Sequence, residues 1–316
     1  MPCQPFRVRY SAARKVRKDN TLIISYRAKQ TLAPYGYLLP TIALLAALMV
    51  LPMVLVIWYS LLDNVIVNPD PEFVGLENFL TVIRSEVFQI SVANTLYFTI
   101  MSLTFHLVIG MLFAVLLNST VLNPVVKSVF RVFYILPWMF TATITAIIWR
   151  LMLNPSGVVN FVLAAIGATD GSTEWLSSSQ TALHTLTFIN IWAGYPFYMV
   201  SLLAGMQGIP SQQYEAATID GAGDLQKFLH ITIPHLTPII VSIAMLDFIW
   251  TLHLFPLVWM TTGGGPGHST EMLSTSTYKL AFSTYDFSMA SASAVLILLF
   301  SMAVAMVYIR HQKASE

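Results

Sequence analysis

One acidic residue, Asp247, lies inside a long apolar segment, with Trp250 and Thr251 three and four residues after it. On a helix these spacings place all three side chains on one face. A charged residue at the centre of a membrane helix costs roughly 2.5–3.5 kcal/mol on insertion scales, and such groups usually face protein or a water-filled cavity. An indole beside hydrogen-bonding groups can stack on a sugar ring while the polar groups bind its hydroxyls. The alternative is structural, with Asp247 paired to a polar group on a neighbouring helix.

Weaker candidates for the same kind of site lie in the preceding apolar segment. Gly194 and Pro196 predict a break there, and a broken membrane helix exposes backbone groups that can line a path. Three polar or aromatic residues lie close to the predicted break: Asn190, Trp192 and Tyr195. Tryptophan and tyrosine also anchor helices at membrane interfaces, so a structural role is the alternative. His253 completes the candidate set, although His106 and His253 are interpreted as hydrogen-bonded packing residues rather than metal ligands.

The sequence contains no catalytic, metal or cofactor motif. Neither H-E-x-x-H nor G-x-S-x-G occurs, which argues against an intramembrane enzyme. The Gly263–Gly267 run is followed by no lysine at the spacing that a phosphate-binding loop needs. The only cysteine, Cys3, excludes an intrachain disulfide and a cysteine-ligated metal cluster. The formal net charge of +1 argues against nucleic acid as a partner.

Hydropathy predicts the elements that position these residues. Of the 316 residues, 56% are apolar and 10% are charged, compared with about 25% charged in soluble domains. About 20 apolar residues span a bilayer, and six stretches are long enough: Tyr37–Leu62, Val92–Leu117, Val132–Leu153, Thr181–Met206, Ile239–Thr261 and Met289–Ile309. The composition therefore predicts an all-α integral membrane bundle with six transmembrane helices.

Basic residues predict the orientation of the spans, because they collect in cytoplasmic loops. Eight of the sixteen Lys and Arg residues lie within residues 1–35, and with this segment inside, thirteen of the sixteen fall on the cytoplasmic side. The opposite loops carry nine acidic residues but only two basic ones, Arg84 and Lys279. The pattern predicts a multi-pass membrane protein with both termini cytoplasmic.

Three segments are predicted along the chain: a basic cytoplasmic arm at 1–35, a transmembrane domain at 36–310 and a cytoplasmic tail at 311–316. No long linker or low-complexity tract divides the transmembrane domain. The basic arm is predicted to set the topology. The alternative is that it also binds anionic membrane lipid, which attracts clustered basic residues.

Residues 208–238 form a predicted cytoplasmic loop that is patterned like two short helices. Ser211 is the predicted N-cap of the first helix, and Gly221 bends the chain after it. The second helix is predicted to start with Asp224 as its cap and to end at Pro234. An amphipathic pair lying on the membrane and a docking site for a cytoplasmic partner both fit this pattern.

The same loop closely resembles the EAA motif of ABC importer permeases. The residues that carry the resemblance, with the spacing of the motif, are Glu215, Ala216, Ala217, Gly221, Ile231, Ile233 and Pro234. Ile233 stands where the family usually has leucine. A second stretch, residues 262–271 with its Thr-Gly-Gly-Gly-Pro run and Thr270-Glu271, resembles the fifth-span exit of maltose-type sugar permeases. The resemblance covers about Tyr37 to Arg310.

This resemblance implies a type I ABC importer permease of the bacterial inner membrane, which pairs with a second permease subunit. Two ATPase subunits would bind on the cytoplasmic side and hold ATP and Mg²⁺, so this chain is expected to bind no cofactor and to contain no catalytic residue. A periplasmic or lipid-anchored solute-binding protein would dock on the other side. Its predicted docking loop, interpreted as flexible, contains Gly263, Gly264, Gly265 and Pro266; a plain exposed turn is the alternative.

By the same resemblance, residues within 211–234 would couple the permease to the ATPase: Glu215, Ala216, Ala217, Asp220, Gly221, Ile231 and Pro234. The small alanines would admit the ATPase surface, Glu215 would pair with a basic residue there, and Gly221 would permit the turn. Closure of the ATPase pair on ATP would then turn the permease halves from inward-facing to outward-facing as rigid bodies.

The predicted substrate is a neutral sugar, glycoside or polyol, because a strongly anionic solute would favour several basic residues in the spans and only Arg150 lies there. A glycerophospho-compound or charged glycoside is the alternative, since helix N-termini or the partner subunit could supply positive charge. The family often has Asn and Asp where this chain has His253, Leu254 and Pro256, so substrate contacts do not transfer. The competing class, an ion-coupled secondary transporter, usually shows internal repeats and paired intramembrane ionisable groups. The spans of this chain show one such acid, Asp247, and no clear repeat, and that class does not explain the 208–238 loop.

Overall fold

The computed structural model describes residues 37–119 and 123–315, so the predicted basic arm and Cys3 lie outside the described residues. The structure divides into two units, residues up to Trp58 and residues from Tyr59 onward. The first unit contains helix α1 (Tyr37–Tyr59) up to its last residue, which falls in the second unit, and α1 includes a π-helical turn at Ala46–Val50.

The second unit is built from helices and loops, and in its described residues the β-structure is limited to two isolated bridges. Its helices are α2 (Glu77–Arg84), α3 (Glu86–Asn118), α4 (Pro124–Met139), α5 (Ala142–Met152), α6 (Val158–Ala165), α7 (Ala182–Gln207), α8 (Ser211–Ile219), α9 (Asp224–Leu252), α10 (Pro256–Thr261), α11 (Leu273–Phe282) and α12 (Phe287–Ser315).

In the described part of the chain, five helices are long and apolar enough to cross a membrane, namely α1, α3, α7, α9 and α12. The bent pair formed by α4 and α5 makes a sixth span if it is counted as one. By length and composition, the six predicted spans are therefore all present as helices. The all-α fold class predicted from the sequence is confirmed.

The third predicted span, Val132–Leu153, is not a continuous helix. The axes of α4 and α5 differ by 98° across Phe140 and Thr141. Thr141 begins the second helix, because its backbone is extended and its hydroxyl accepts a hydrogen bond from the Ile144 N–H at 3.4 Å. Pro137 weakens the last turn of α4 because it has no N–H to donate. Hydropathy does not detect this bend, since both halves are apolar.

The prediction that Pro234 ends the helix beginning at Asp224 is wrong. The helix continues to Leu252, and the π-helical segment Phe228–Thr232 lies directly before the proline. A π-turn is wider than an α-turn, so it gives the proline ring room and reduces the clash that would stop a regular helix.

Helix breaks in the fourth and fifth spans differ from the prediction. The fourth span runs unbroken as α7 through Gly194 and Pro196, so the break predicted there is wrong. The fifth, predicted as one span over Ile239–Thr261, breaks after Leu252 instead. Pro256 then begins α10 at a position where a missing N–H costs nothing.

Two glycines allow α3 and α7 to pack closely. A Cβ atom at Gly110 would lie 2.4 Å from the Cβ of Tyr198, and one at Gly194 would lie 2.3 Å from Nε2 of His106. Both distances are shorter than any packed side chain tolerates, so each glycine makes room for a side chain of the other helix.

A polar layer separates two clusters of buried apolar side chains. One cluster joins α3, α7 and α9, and the other joins α3, α5, α7 and α10. On α3, the buried His106 lies between Phe98 of the second cluster and Ala114 of the first. Asn190 has the corresponding position on α7. The apolar packing on both sides therefore holds these polar side chains inside the bundle.

Candidate functional site

Asp247 on α9 is buried and contacts three hydrogen-bonding side chains. Nδ1 of His106 lies 2.8 Å from Oδ2 of Asp247, and the Tyr198 hydroxyl donates to the same oxygen at 3.0 Å. The Thr251 hydroxyl, one turn along α9, donates to Oδ1 at 3.1 Å. The carboxylate therefore joins α3 and α7 to α9, which is the pairing that the structural alternative predicts.

The contacts of His106 determine the charge of this pair. Its Nε2 lies 3.0 Å from the backbone carbonyl oxygen of Asn190, which can only accept, so Nε2 carries a proton. A second proton lies between Nδ1 of His106 and Oδ2 of Asp247 and can belong to either group. In both arrangements the net charge of the pair is zero, so no uncompensated charge is buried.

The network leaves hydrogen-bonding capacity for a ligand. Oδ2 of Asp247 is shared by two protein groups, whereas Oδ1 accepts, among the described residues, only from Thr251 and can accept once more. Asn190 donates from Nδ2 to the Ser102 hydroxyl at 2.9 Å, and its side-chain carbonyl has no partner within the described residues. A carboxylate oxygen and an amide carbonyl thus remain as acceptors for hydroxyl groups.

A cavity of about 270 Å³ lies against this network. Its polar lining comes from His106, Thr145, Asn190, Asp247 and Thr251, and its indole lining from Trp138 and Trp250. The two indoles are about half exposed in this chain, and both rings contact Phe197, with centroid distances of 6.0 and 5.8 Å. Aromatic faces beside a few placed polar groups are typical of small-molecule sites.

Thr145 contributes a further unused group. Its hydroxyl oxygen is buried and has no hydrogen-bond partner in the described ranges. An unsatisfied buried hydroxyl costs roughly 1–3 kcal/mol, so such groups in native proteins need an explanation. Thr145 is one of the residues that line the cavity, so its hydroxyl lies close to the space that a ligand would occupy.

The cavity brings together four of the seven residues predicted for a substrate path: Asn190, Asp247, Trp250 and Thr251. The other three lie elsewhere. His253 Nε2 bonds to the Ser301 hydroxyl at 3.0 Å, Trp192 packs edge-on against Trp149, and Tyr195 packs against α3. On the unbroken helix α7, positions 190 and 194 share a face that Trp192 and Tyr195 do not occupy.

Of the polar and indole residues that line the cavity, three were not among the predicted path residues: His106, Trp138 and Thr145. The sequence does carry a signal for His106, because a polar side chain in mid-span needs a partner and Asp247 needs one too. Trp138 and Thr145 come from opposite sides of the bend between α4 and α5. Pro137 is a sequence signal for a kink, but it does not give the 98° angle of the bend, so their meeting at one cavity was not predictable.

Both helices predicted within the 208–238 loop are present, but their caps are displaced by one residue. α8 begins at Ser211, with Pro210 in the cap position. α9 begins at Asp224, with Gly223 in the cap position. The Gly223 N–H donates to Oε1 of Gln226 at 2.9 Å, so glutamine rather than aspartate satisfies this end of the helix.

Most of the predicted coupling residues lie around the turn between α8 and α9 and are exposed or partly exposed. Glu215, Ala216 and Asp220 are exposed, and Gly221 reverses the chain with a φ of +80°. Four of the seven predicted residues line a cavity of about 390 Å³ beside this turn: Ala217, Asp220, Gly221 and Ile231. Pro234 lies outside the cavity, within α9.

The residues predicted to form a flexible docking loop are held by hydrogen bonds. The Thr270 N–H donates to the Gly264 carbonyl at 3.3 Å, and the Thr270 hydroxyl donates to the Gly265 carbonyl at 2.6 Å. Gly263 and Gly264 have φ values of +60° and +92°, which glycine adopts without strain. Pro266 follows a cis peptide bond. The glycines therefore serve a defined turn rather than flexibility.

Comparison with known proteins matches residues 95–316 to the family described as binding-protein-dependent transport system inner membrane component. The chain is 32% identical over 296 residues to the trehalose/maltose transport system permease protein MalF of Thermococcus litoralis, covering 92% of this chain and 97% of the relative. It is 32% identical over 275 residues to the sulfoquinovosyl glycerol transport system permease protein SmoG of Agrobacterium fabrum, covering 86% and 88%.

The fold also matches a solved structure, a bacterial ABC transporter involved in the import of the acidic polysaccharide alginate. The TM-score is 0.79, the sequence identity is 24%, and the match covers 93% of this chain and 99% of the other. At this identity the likeness establishes the fold.

Proposed function

The chain belongs to the family of binding-protein-dependent transport system inner membrane components, and on this premise we propose that it imports a neutral sugar, glycoside or polyol. In this proposal it is the transmembrane subunit of an ATP-driven importer. It pairs with a second permease, takes solute from a solute-binding protein and couples to two ATPase subunits through the 208–238 loop.

The main support for this proposal is the cavity beside Asp247. It offers unused acceptors on Asp247 and Asn190, a buried hydroxyl on Thr145, and two indole faces. Hydroxyl groups of a sugar satisfy such acceptors, and the apolar faces of its ring stack on aromatic rings. This combination suits a solute that is polar in many places and charged in none.

Charge separates the leading substrate class from the alternative. One relative is named for trehalose and maltose and another for a sulfonated glycoside, so both classes occur at similar identity. Neither Lys nor Arg is among the described residues that line the cavity, and the single histidine is neutralised by Asp247. A neutral solute therefore fits better than a charged glycoside or a glycerophospho-compound, which needs basic partners.

The second permease is proposed to complete the path. Trp138 and Trp250 are about half exposed in the isolated chain although they line the cavity. In a membrane protein such indoles require cover by lipid or by another subunit. A second permease packed against them would enclose the solute between two subunits.

Coupling is proposed to run through the 208–238 loop, with both termini on the same cytoplasmic side. Because α8 and the turn at Gly221 lead directly into α9, motion of the ATPase surface would act on the helix that carries Asp247. Rigid-body motion of this kind can alternate access to a central site. Family membership decides against the competing class, an ion-coupled secondary transporter.

The proposal is tested by purifying the chain with its native partners and measuring ATP hydrolysis in lipid. We expect a second permease and an ATPase to co-purify, and one binding protein loaded with a neutral sugar to stimulate hydrolysis. If only a charged glycoside gives stimulation, the alternative substrate class is correct. A chain that purifies alone and binds solute without an ATPase would contradict the proposal.

A further inference from the structure

A fully buried carboxylate, Glu271, lies beneath the loop that contains Gly263 to Pro266. Its Oε1 accepts a hydrogen bond from the Thr275 hydroxyl at 2.7 Å. Its Oε2 accepts from the Lys279 ammonium group and lies 3.1 Å from Nδ1 of His268. The charge of Glu271 is therefore compensated within the cluster, and both carboxylate oxygens are used.

The backbone of Gly264 lies directly on this carboxylate. A Cβ atom at Gly264 would be 2.6 to 2.7 Å from both oxygens and the carboxyl carbon of Glu271. The φ of Gly264 is +92°, a conformation that side chains rarely adopt. The short distance between the Gly264 backbone and the carboxylate leaves no room for a side chain, and the φ of Gly264 also requires glycine. The position of the loop therefore depends on the carboxylate below it.

A second set of hydrogen bonds fixes the rest of the loop. The Thr270 hydroxyl contacts the Gly265 carbonyl and, at 2.7 Å, the Thr262 hydroxyl. The Asn94 amide on α3 lies 3.1 to 3.2 Å from three backbone carbonyl oxygens, those of His268, Ser269 and Glu271. The loop is thereby tied to α3, at the end of the helices opposite the 208–238 loop.

These contacts present a short exposed tip in one conformation. Gly267 and His268 are exposed, and His268 has a φ of +66°, which is strained for a residue with a side chain. Such strain persists only where the surrounding structure imposes it, and it occurs often at recognition sites. A buried ion pair is weak evidence of stability by itself, because an apolar core would stabilise the fold as well. What an apolar core would not provide is the shape of the tip, which depends on the contacts of Glu271 with Lys279 and His268.

We propose that Glu271 is the positioning residue for docking of the solute-binding protein. The carboxylate holds residues 266–269 in the conformation that the substrate-loaded binding protein contacts, without touching that protein itself. This inference rests on the proposed function, and it assigns a role to a residue that lies beneath the predicted docking loop rather than in it.

The test compares Glu271→Gln with Glu72→Gln, a matched control that removes an exposed charge from another loop. The assembled complex in lipid is titrated with loaded binding protein, and its ATPase rate is followed. For Glu271→Gln we expect the concentration for half-maximal stimulation to rise on the order of tenfold, with the maximal rate unchanged, because the charged contacts to Lys279 and His268 are weakened. The control should match the wild type.

A second variant changes the loop side of the contact between Gly264 and Glu271. Gly264→Ala places a methyl group against the carboxylate, so we expect the same rise in the half-maximal concentration, and the double variant should be no worse than the worse single variant. Amide hydrogen exchange of residues 262–272 should be faster in each variant without any binding protein present.

Three results would overturn the inference: unchanged exchange, unchanged half-maximal concentration despite faster exchange, or loss of complex assembly in both variants. The last result would assign Glu271 to the stability of the fold. If no loaded binding protein stimulates the wild-type complex, the proposed function fails. The exchange measurement then still decides whether Glu271 shapes the loop.

Discussion

The pair formed by His106 and Asp247 combines a structural role with a place in the cavity. It joins α3 to α9, and both residues line the space beside Trp250. Removing one partner of a buried pair is strongly destabilising, whereas replacing both by apolar residues is often neutral. This asymmetry allows the two roles to be separated by experiment.

We predict that Asp247→Leu lowers stability by roughly 3–5 kcal/mol, because it leaves His106 without its carboxylate. The double variant Asp247→Leu with His106→Phe should recover thermal stability and complex assembly but not solute uptake. Asp170→Asn, a change at an exposed loop residue, serves as the control. Uptake that recovers together with stability would show that the pair has only a structural role.

At the scale of the helices, close packing of α3 against α7 positions His106. The Gly194 Cα faces the imidazole, so α3 and α7 approach more closely there than side chains would allow. The same contact brings Nε2 of His106 to the Asn190 carbonyl. The geometry of the polar layer therefore depends on a residue without a side chain.

We predict that Gly194→Ala destabilises the protein by roughly 1–3 kcal/mol, because the added methyl group meets the His106 ring, which hydrogen bonds to Asp247 and the Asn190 carbonyl hold in place. Gly223→Ala is the matched control, since its added carbon would lie 3.9 Å from the nearest atom. The midpoint of thermal unfolding is measured for the purified complex of each variant. Equal midpoints for the two variants would contradict the close packing described here.

At the turn between α8 and α9, we expect substitutions to abolish coupling between ATP hydrolysis and transport without affecting the fold. Glu215→Lys reverses an exposed charge, and Gly221→Asp puts a side chain at a φ of +80°. Both variants should insert and assemble, while solute-stimulated ATP hydrolysis and uptake are lost. Wild-type uptake in both variants would rule out this coupling surface.

At the scale of the whole molecule, the fold and family are those of an importer permease, whereas the orientation in the membrane is still a prediction. The distribution of basic residues places both termini in the cytoplasm. The single cysteine of the chain makes this testable with the natural sequence.

We predict that Cys3 reacts with a membrane-impermeant thiol reagent only after spheroplasts are permeabilised. In a chain with Cys3→Ser, a cysteine introduced by Ser283→Cys should react without permeabilisation, because the loop after α11 is expected to face outward and Ser283 is exposed. Labelling of Cys3 in intact spheroplasts would reverse the assigned topology.

The sequence alone was sufficient for features that depend on neighbouring residues. Apolar runs located six spans, and the spacing within residues 208–238 identified α8, the start of α9 and the family. The helix period also placed Asp247, Trp250 and Thr251 on one face, and all three line the cavity. Each of these inferences needs only local hydropathy, the helix period or motif spacing.

Only the tertiary structure decided which distant groups meet. His106 and Asp247 are 141 residues apart, and their contact depends on how closely α3 packs against α7 and α9. The bend at Phe140 and Thr141 brings α4 and α5 to one cavity, and the buried carboxylate of Glu271 lies against a loop predicted as flexible. These contacts arise from packing in three dimensions, where a difference of one methyl group matters, and spacing along the chain does not encode them.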